Sequence, residues 1–126
     1  MSDKPQDTKG AIADGVGDLD AVEVYHNQIL VGIWKRPDKT AGGIILTDKT
    51  RDEDRYQGKV GLVLKKGPLA FHADGSVDFG GKDVSEGDWV AYRASDGWSL
   101  KLNGMDCRML EDVHIKMRVA EPGIIY

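Results

Sequence analysis

The sequence predicts a compact all-β domain, a barrel or a sandwich, and three observations support this fold class. Short apolar runs follow one another at fairly even spacing, with glycine-rich turns between them. No segment shows convincing helical periodicity over any length. The chain has 126 residues, 40% of them hydrophobic, which is enough for one domain with a core and too few for two.

The predicted strands are apolar runs bounded by turn residues. They cover residues 29–34, 58–64, 89–93, 98–102, 105–110 and 113–119. The first run has large apolar residues at both alternating positions, so both of its faces are expected to be covered. In the last run apolar and polar residues alternate strictly, which predicts one buried face and one solvated face. The apolar residues of that run are Val113, Ile115, Met117 and Val119.

Asp-Gly or Asn-Gly pairs lie between apolar runs at three places and predict tight hairpin turns. Asp96-Gly97 and Asn103-Gly104 each precede a predicted strand. Asp74-Gly75 separates residues 69–71 from residues 76–79, which predicts a small additional hairpin.

One connection is too long for a small barrel, because about twenty residues separate Trp34 from Gly58. We call residues 36–58 the long loop. It is densely charged, which opposes burial, except for an aliphatic tripeptide behind two glycines. We predict an exposed, mobile loop whose aliphatic residues bind a groove on a partner, and the alternative is a short strand that closes a sheet. The residues expected to bind the partner are Gly42, Gly43, Ile44, Ile45 and Leu46.

Charge and hydropathy exclude several classes of partner. Two lysines and five aspartates make residues 1–20 acidic and poor in large apolar groups, so we predict a flexible N-terminal extension there. The remainder is nearly neutral, which argues against nucleic acid as a partner. No apolar run reaches 18 residues and the N-terminus lacks signal-peptide features, so we expect no membrane span and a cytoplasmic protein. Residues 120–126 are expected to form a C-terminal tail with an apolar tip.

Catalytic, metal and cofactor motifs are not found in the sequence. A phosphate-binding loop ending at Gly81-Lys82 would need a glycine where Ser76 stands, and no dinucleotide fingerprint opens a helix. The three histidines are far apart and are interpreted as exposed or locally hydrogen-bonded: they are His26, His72 and His114. The carboxylates of residues 52–54 are expected to be solvated. Cys107, the only cysteine, is interpreted as a small buried residue.

Several short motifs occur in a set order over residues 22 to 119. They are His26-Asn27-Gln28-Ile29-Leu30-Val31, Thr40-Ala41-Gly42-Gly43-Ile44-Ile45-Leu46, Gln57-Gly58-Lys59-Val60, Gly67, Val84-Ser85-Glu86-Gly87-Asp88-Trp89-Val90 and Glu111-Asp112-Val113-His114-Ile115. Together these motifs resemble those of the GroES-type co-chaperonins. In that family the first two correspond to the opening strand and the mobile loop, and the third matches an x-Gly-x-Val pattern. The last three correspond to the glycine before a roof hairpin, a Gly-Asp strand opening and the closing strand.

The resemblance implies a partly open Greek-key β-barrel over residues 21–119, with a mobile loop at 36–58 and a roof hairpin at 68–82. It implies a ring, seven-membered in the bacterial family, that caps an ATP-driven GroEL-type chaperonin and is not itself an enzyme. No cofactor is expected, since ATP hydrolysis would belong to the partner. The residues implied for the roof hairpin are Phe71, Asp74, Gly75, Val77 and Phe79.

Both termini and the three tryptophans depart from the common pattern of this family, which favours a virus-encoded or otherwise specialised member. A virion decoration or adaptor protein that reuses the barrel is the alternative function, because the tails could clasp neighbouring subunits. Medium-chain dehydrogenases also contain a GroES-like barrel, but this chain lacks zinc-ligand cysteines and a dinucleotide-binding half.

Overall fold

Six strands form one antiparallel sheet in the computed structural model, which describes residues 6–35, 59–71, 79 and 82–124. The strands are β1 (Gln28–Ile33), β2 (Val60–Lys66), β3 (Trp89–Ala91), β4 (Trp98–Leu102), β5 (Met105–Glu111) and β6 (Met117–Val119). One helix, α1 (Lys9–Val16), precedes them, and short 3-10 turns lie at Asp112–His114 and Pro122–Ile124.

The sheet order is β4-β5-β1-β2-β3-β6, so within the described residues the sheet has two edges and does not close on itself. An all-β domain built as a partly open barrel was the predicted fold class, and the structure confirms it. The turn between β4 and β5 was also predicted correctly, because Asn103 and Gly104 both have positive φ, at 52° and 83°.

Strand β1 lies at the centre of this sheet and is covered on both faces, as predicted. It pairs with β2 on one side and with β5 on the other. Leu30 and Trp34 belong to a core cluster on one face, whereas Ile29 and Val31 belong to a second cluster on the other. The sheet is therefore a layer between two hydrophobic cores.

Helix α1 contradicts the expectation of a flexible extension for the part of residues 1–20 that the structure describes. Thr8 caps the helix, since its Oγ1 accepts from Ala11 N at 3.0 Å. Ile12 and Val16, one helical turn apart, are 0% and 1% exposed and belong to the first core cluster. Because only these two residues form the apolar stripe, the sequence shows no helical period, and the sheet surface provides the burial that stabilises so short a helix.

Close contact between α1 and the sheet depends on two small residues. A Cβ atom at Gly32 of β1 would lie 2.5 Å from Cγ2 of Ile12, and a Cβ atom at Gly15 of the helix would overlap the Met105 side chain. Gly32 on β1 therefore faces Ile12 on the helix, and Gly15 on the helix faces Met105 on β5, the strand beside β1 in the sheet. A larger side chain at Gly32 would overlap the branched Ile12 side chain and push the helix away from the sheet, whereas one at Gly15 would require the flexible end of Met105 to shift.

The last predicted strand is wrong in its first half. Residues 112–114 form a 3-10 turn, and β6 contains only Met117–Val119. The Asp112 carboxylate explains this, since it accepts hydrogen bonds from Asn27 Nδ2 and Phe71 N, both at 3.1 Å. The chain turns at Asp112, so Val113 and Met117 are 41% and 52% exposed instead of buried.

Candidate functional site

The long loop leaves the sheet after β1 and returns to it at β2. All of its residues, including the predicted partner-binding residues Gly42, Gly43, Ile44, Ile45 and Leu46, lie outside the described residues. The residues next to both of its ends are described. We call Trp34 and Lys35 the departing end of the loop, and Lys59 the returning end. Trp34 N donates to Val60 O at 2.9 Å, which continues the pairing of Ile33 with Gly61. The departing and returning ends of the loop therefore lie side by side.

The departing end of the loop is held by the segment that precedes α1. Trp34 is 5% exposed, and its indole Nε1 donates to the backbone oxygen of Asp7 at 3.0 Å. Lys35 N donates to the backbone oxygen of Gln6 at 2.9 Å. Each residue of this end thus has a hydrogen bond to a residue 27 or more positions earlier in the chain.

The Gln6 side chain connects the end of β1 to the start of β5. Its Nε2 donates to Ile33 O at 2.7 Å and to Asp106 O at 2.9 Å, and its Oε1 accepts from Asp106 N at 2.9 Å. Gln6 is 3% exposed, so its amide replaces water for three backbone groups. No sequence pattern indicated this role, because a single glutamine in a polar segment has no distinguishing signal.

Asp106 also takes part in charge interactions at this end of the barrel. Its carboxylate forms an ion pair with Lys35 Nζ, and both side chains are only about a tenth exposed. The ammonium group of Lys101, which is 60% exposed, lies 3.6 Å from the same carboxylate. The backbone and the side chain of Lys35 are therefore both tied to the part of the fold that Gln6 bridges.

The returning end of the loop is held by the sheet itself. Tyr92 N donates to Lys59 O at 3.0 Å, directly after β3, and Val60 is fully buried opposite Ala91. The sheet thus holds both ends, and the N-terminal segment additionally holds the departing end. A pocket of about 510 Å³ lies beside the departing end, between residues 7–9 and the C-terminal residues 120–124.

The predicted roof hairpin is described only at its two ends. The rings of Phe71 and Phe79 are 5.3 Å apart in an edge-to-face arrangement, which is a favourable aromatic contact. Beside them lies a pocket of about 420 Å³, whose other walls come from residues 82–84 and 115–118. Asp74, Gly75 and Val77 lie outside the described residues, so the hairpin between the two rings stays a prediction.

Those candidate catalytic residues that the structure describes show no arrangement that would support chemistry, and His72 and residues 52–54 lie outside the described residues. Burial raises the pKa of the Cys107 thiol from its ordinary value of 9.0 to about 11, so the thiol keeps its proton at neutral pH and is a poor nucleophile. The imidazole Nδ1 of His114 accepts from Glu111 N at 3.0 Å, as expected for a locally bonded histidine. Within the described ranges no His, Cys, Asp and Glu side chains are grouped so as to hold a metal ion.

The described helices are too short and too polar to cross a membrane.

Comparison with known proteins identifies the family. The model of the chaperonin 10 kDa subunit family matches residues 21–117. This chain belongs to the chaperonin 10 kDa subunit family. Among curated proteins it is similar to co-chaperonin GroES 2 of Mesorhizobium japonicum, with 33% identity over 87 residues, which cover 69% of this chain and 78% of that protein. The resemblance of the motifs is therefore confirmed, and the family is one of co-chaperonins rather than of enzymes.

Helix α1 and its preceding residues lie outside the part of the chain that the family model matches. The returning end of the loop and strands β1 to β5 lie inside it. In this member of the chaperonin 10 family, the departing end of the long loop is therefore hydrogen-bonded to residues that are not part of the matched domain. Those residues are Gln6 and Asp7.

Proposed function

We propose that this protein forms a homo-oligomeric ring that caps a GroEL-type chaperonin and assists protein folding by docking through the long loop. Membership of the chaperonin 10 family over residues 21–117 is the observation that supports this function most directly. The similar protein from Mesorhizobium japonicum is named a co-chaperonin. The cytoplasm is the compartment we expect for such a partner.

In this proposal Ile44, Ile45 and Leu46 insert into an apolar groove on the chaperonin, and Gly42 and Gly43 give the backbone the freedom to do so. A segment that orders on docking loses conformational entropy, so each contact is weak and reversible. Several loops on one ring bind together, and linked sites gain roughly 10² to 10⁴ in apparent affinity over a single site. A reversible cap needs this combination.

The sheet offers two edges for ring contacts. Among the described strands, β4 forms one edge of the sheet and β6 forms the other. Each edge strand has an exposed apolar residue: Trp98 on β4 is 57% exposed and Met117 on β6 is 52% exposed. Two different edges on one subunit suit a head-to-tail contact, which closes into a ring when the rotation between subunits allows it. We propose a ring of seven, as in the bacterial family, with the roof hairpin (68–82) lining its top opening.

The test replaces the two inner aliphatic residues of the loop. We expect the double variant Ile45→Ser, Leu46→Ser to form the same oligomer as the parent but to lose nucleotide-dependent capture by a purified bacterial GroEL-type chaperonin. Size-exclusion chromatography and negative-stain images measure the first property, and co-sedimentation with ADP or ATP measures the second. Asp52→Ser, a polar change in the same loop, is the matched control and should bind like the parent.

Capture of the double variant at the level of the parent would overturn the assignment of the aliphatic residues. A parent protein that never binds a chaperonin in any nucleotide state would overturn the function itself.

A virion decoration or adaptor protein is the second candidate. Ile124, which lies near the C-terminus outside the family match and is 70% exposed, favours it, because an exposed apolar residue in such an extension suits permanent contacts between neighbours. Purified virus particles that contain this protein in stoichiometric amount, together with absence of chaperonin binding, would support this function over the first. It would also make a bacteriophage the expected source.

A further inference from the structure

The N-terminal segment, residues 6–16, has the features of an integral part of the fold and not of an accessory tail. Gln6, Ile12 and Val16 are 3% exposed or less. The absence of a side chain at Gly32 and at Gly15 leaves room for Ile12 of the helix and Met105 of the sheet. At its end, Asn103 Nδ2 donates to Val16 O at 2.5 Å. The segment is thus fixed at its start, middle and end.

The start of this segment meets the fold at the departing end of the long loop. Asp7 O accepts from the Trp34 indole, Gln6 O accepts from Lys35 N, and the Gln6 amide bonds Ile33 O. Beyond Ile33, the only bond of this end to the sheet that the described residues show between backbone groups is that from Trp34 N to Val60 O. Without the N-terminal segment, Lys35 would therefore lose its backbone partner.

We propose that residues 6–16 act as a brace that fixes the direction in which the long loop leaves the barrel, and that Gln6 is its positioning residue. For docking, the inference rests on the proposed function. The brace itself, an ordered departing end held by Gln6, is a property of the protein alone and can be measured without a chaperonin.

Loss of the brace would make the loop longer and would also release its direction, and these two changes differ in the size of their effect on docking. Releasing Trp34 and Lys35 would lengthen a loop of about 23 residues by two. The added cost in loop-closure entropy would then change the docking equilibrium by only about 1.1-fold. A larger effect on docking must come from the lost orientation of the departing end. A factor of about two per loop multiplies to about eightfold when three loops of one ring engage together, and to more when further loops engage.

The decisive variant is Gln6→Met, which keeps the length and volume of the side chain but removes its hydrogen-bonding atoms. We expect amide hydrogen exchange at Asp106 and Lys35 to become about tenfold faster or more. Asp106 N loses its acceptor on the Gln6 side chain, whereas Lys35 N keeps the backbone oxygen of residue 6 as its partner, but the side chain that fixes this residue to the fold no longer does so. Exchange at Val31 and Val63, in the middle of the sheet, should change no more than in the control. Capture by a GroEL-type chaperonin with nucleotide should weaken by about tenfold.

Asn27→Leu is the matched control, since Asn27 also uses a side-chain amide to bridge distant segments, through Asp112, but lies before β1 at the opposite end of that strand. It should leave exchange at Lys35 unchanged and capture at the level of the parent. Thr8→Ala is a milder second variant that removes only the helix cap and should shift exchange at Lys35 in the same direction by a smaller factor.

Each outcome decides a separate point. If Gln6→Met and Thr8→Ala leave exchange at Lys35 as in the control, there is no brace. If exchange accelerates but capture stays within twofold of the parent, the brace exists and does not position the loop for docking. If the parent is not captured at all, the proposed function fails, while the exchange measurements still determine whether Gln6 orders the departing end.

Discussion

Truncation of Ile12 tests whether the N-terminal helix belongs to the cooperative fold. Ile12 is fully buried between α1 and the sheet. Ile12→Ala removes three carbon atoms, which corresponds to about 2.4 kcal/mol of transfer free energy, and the remaining cavity adds to this. Undocking of the short helix limits the total loss, so we expect the free energy of unfolding to fall by about 3 kcal/mol.

Urea unfolding at a fixed protomer concentration measures this change, because the stability of an oligomer depends on concentration. With a slope of about 1 to 3 kcal/mol/M, the midpoint should fall by about 1 to 3 M. Lys9→Ala, an exposed change in the same helix, is the control and should alter stability by less than about 0.5 kcal/mol. A midpoint for Ile12→Ala that matches this control would refute the packing of α1, and with it the brace.

Three further predictions concern the same end of the molecule and its core. Gly32→Ala should cost about 1 to 3 kcal/mol in urea unfolding, and combined with Ile12→Ala it should cost less than the sum, because the second change removes the clashing methyl group. The Cys107 thiol should react with a thiol reagent at pH 8 far more slowly in the folded protein than in urea. Its folded pKa of about 11 lies above the ordinary 9.0, so the stability that it contributes should be present below pH 9 and lost as pH rises toward 11, and Cys107→Ala should lack that component. Asp106→Asn should cost about 3 kcal/mol, since it leaves the ammonium of Lys35 largely buried without its counter-charge, and 1 M salt should reduce this cost only slightly.

The strands and turns could be predicted because their signals are local. Strand β5 and the turn before it follow from an Asn-Gly pair and an apolar run, and both properties act within a few residues. Residues 113–116 were wrongly predicted to be part of a strand, because here the structure depends on contacts between distant parts of the chain. Asp112 ends β5 through bonds to residues that precede it by 85 and 41 positions, so the alternating pattern after it could not show where the strand begins.

The position of the long loop could be predicted for the same reason, while its partner-binding residues stay a prediction. The length and charge of the long loop are local properties, and they identified its position between two strands. The role of Gln6 depends on Asp106, which is 100 residues away in sequence. Helix α1 was missed because its apolar stripe contains only Ile12 and Val16, and so short a stripe is stable only on a surface shaped to receive it.

The two ends of the loop differ in a way that bears on how this co-chaperonin was built. Both ends are held by the sheet, which lies almost entirely inside the domain matched by the family, whereas the departing end also bonds Gln6 and Asp7, which precede that domain. Gly32, inside the matched domain, is shaped for Ile12, outside it, because any side chain at this position would overlap the helix. A tail added to a finished barrel would not require such a glycine. Sheet and helix are therefore complementary at the strand that leads into the loop. A substitution in the N-terminal segment should weaken docking more than a substitution elsewhere in the barrel that costs the same free energy of unfolding.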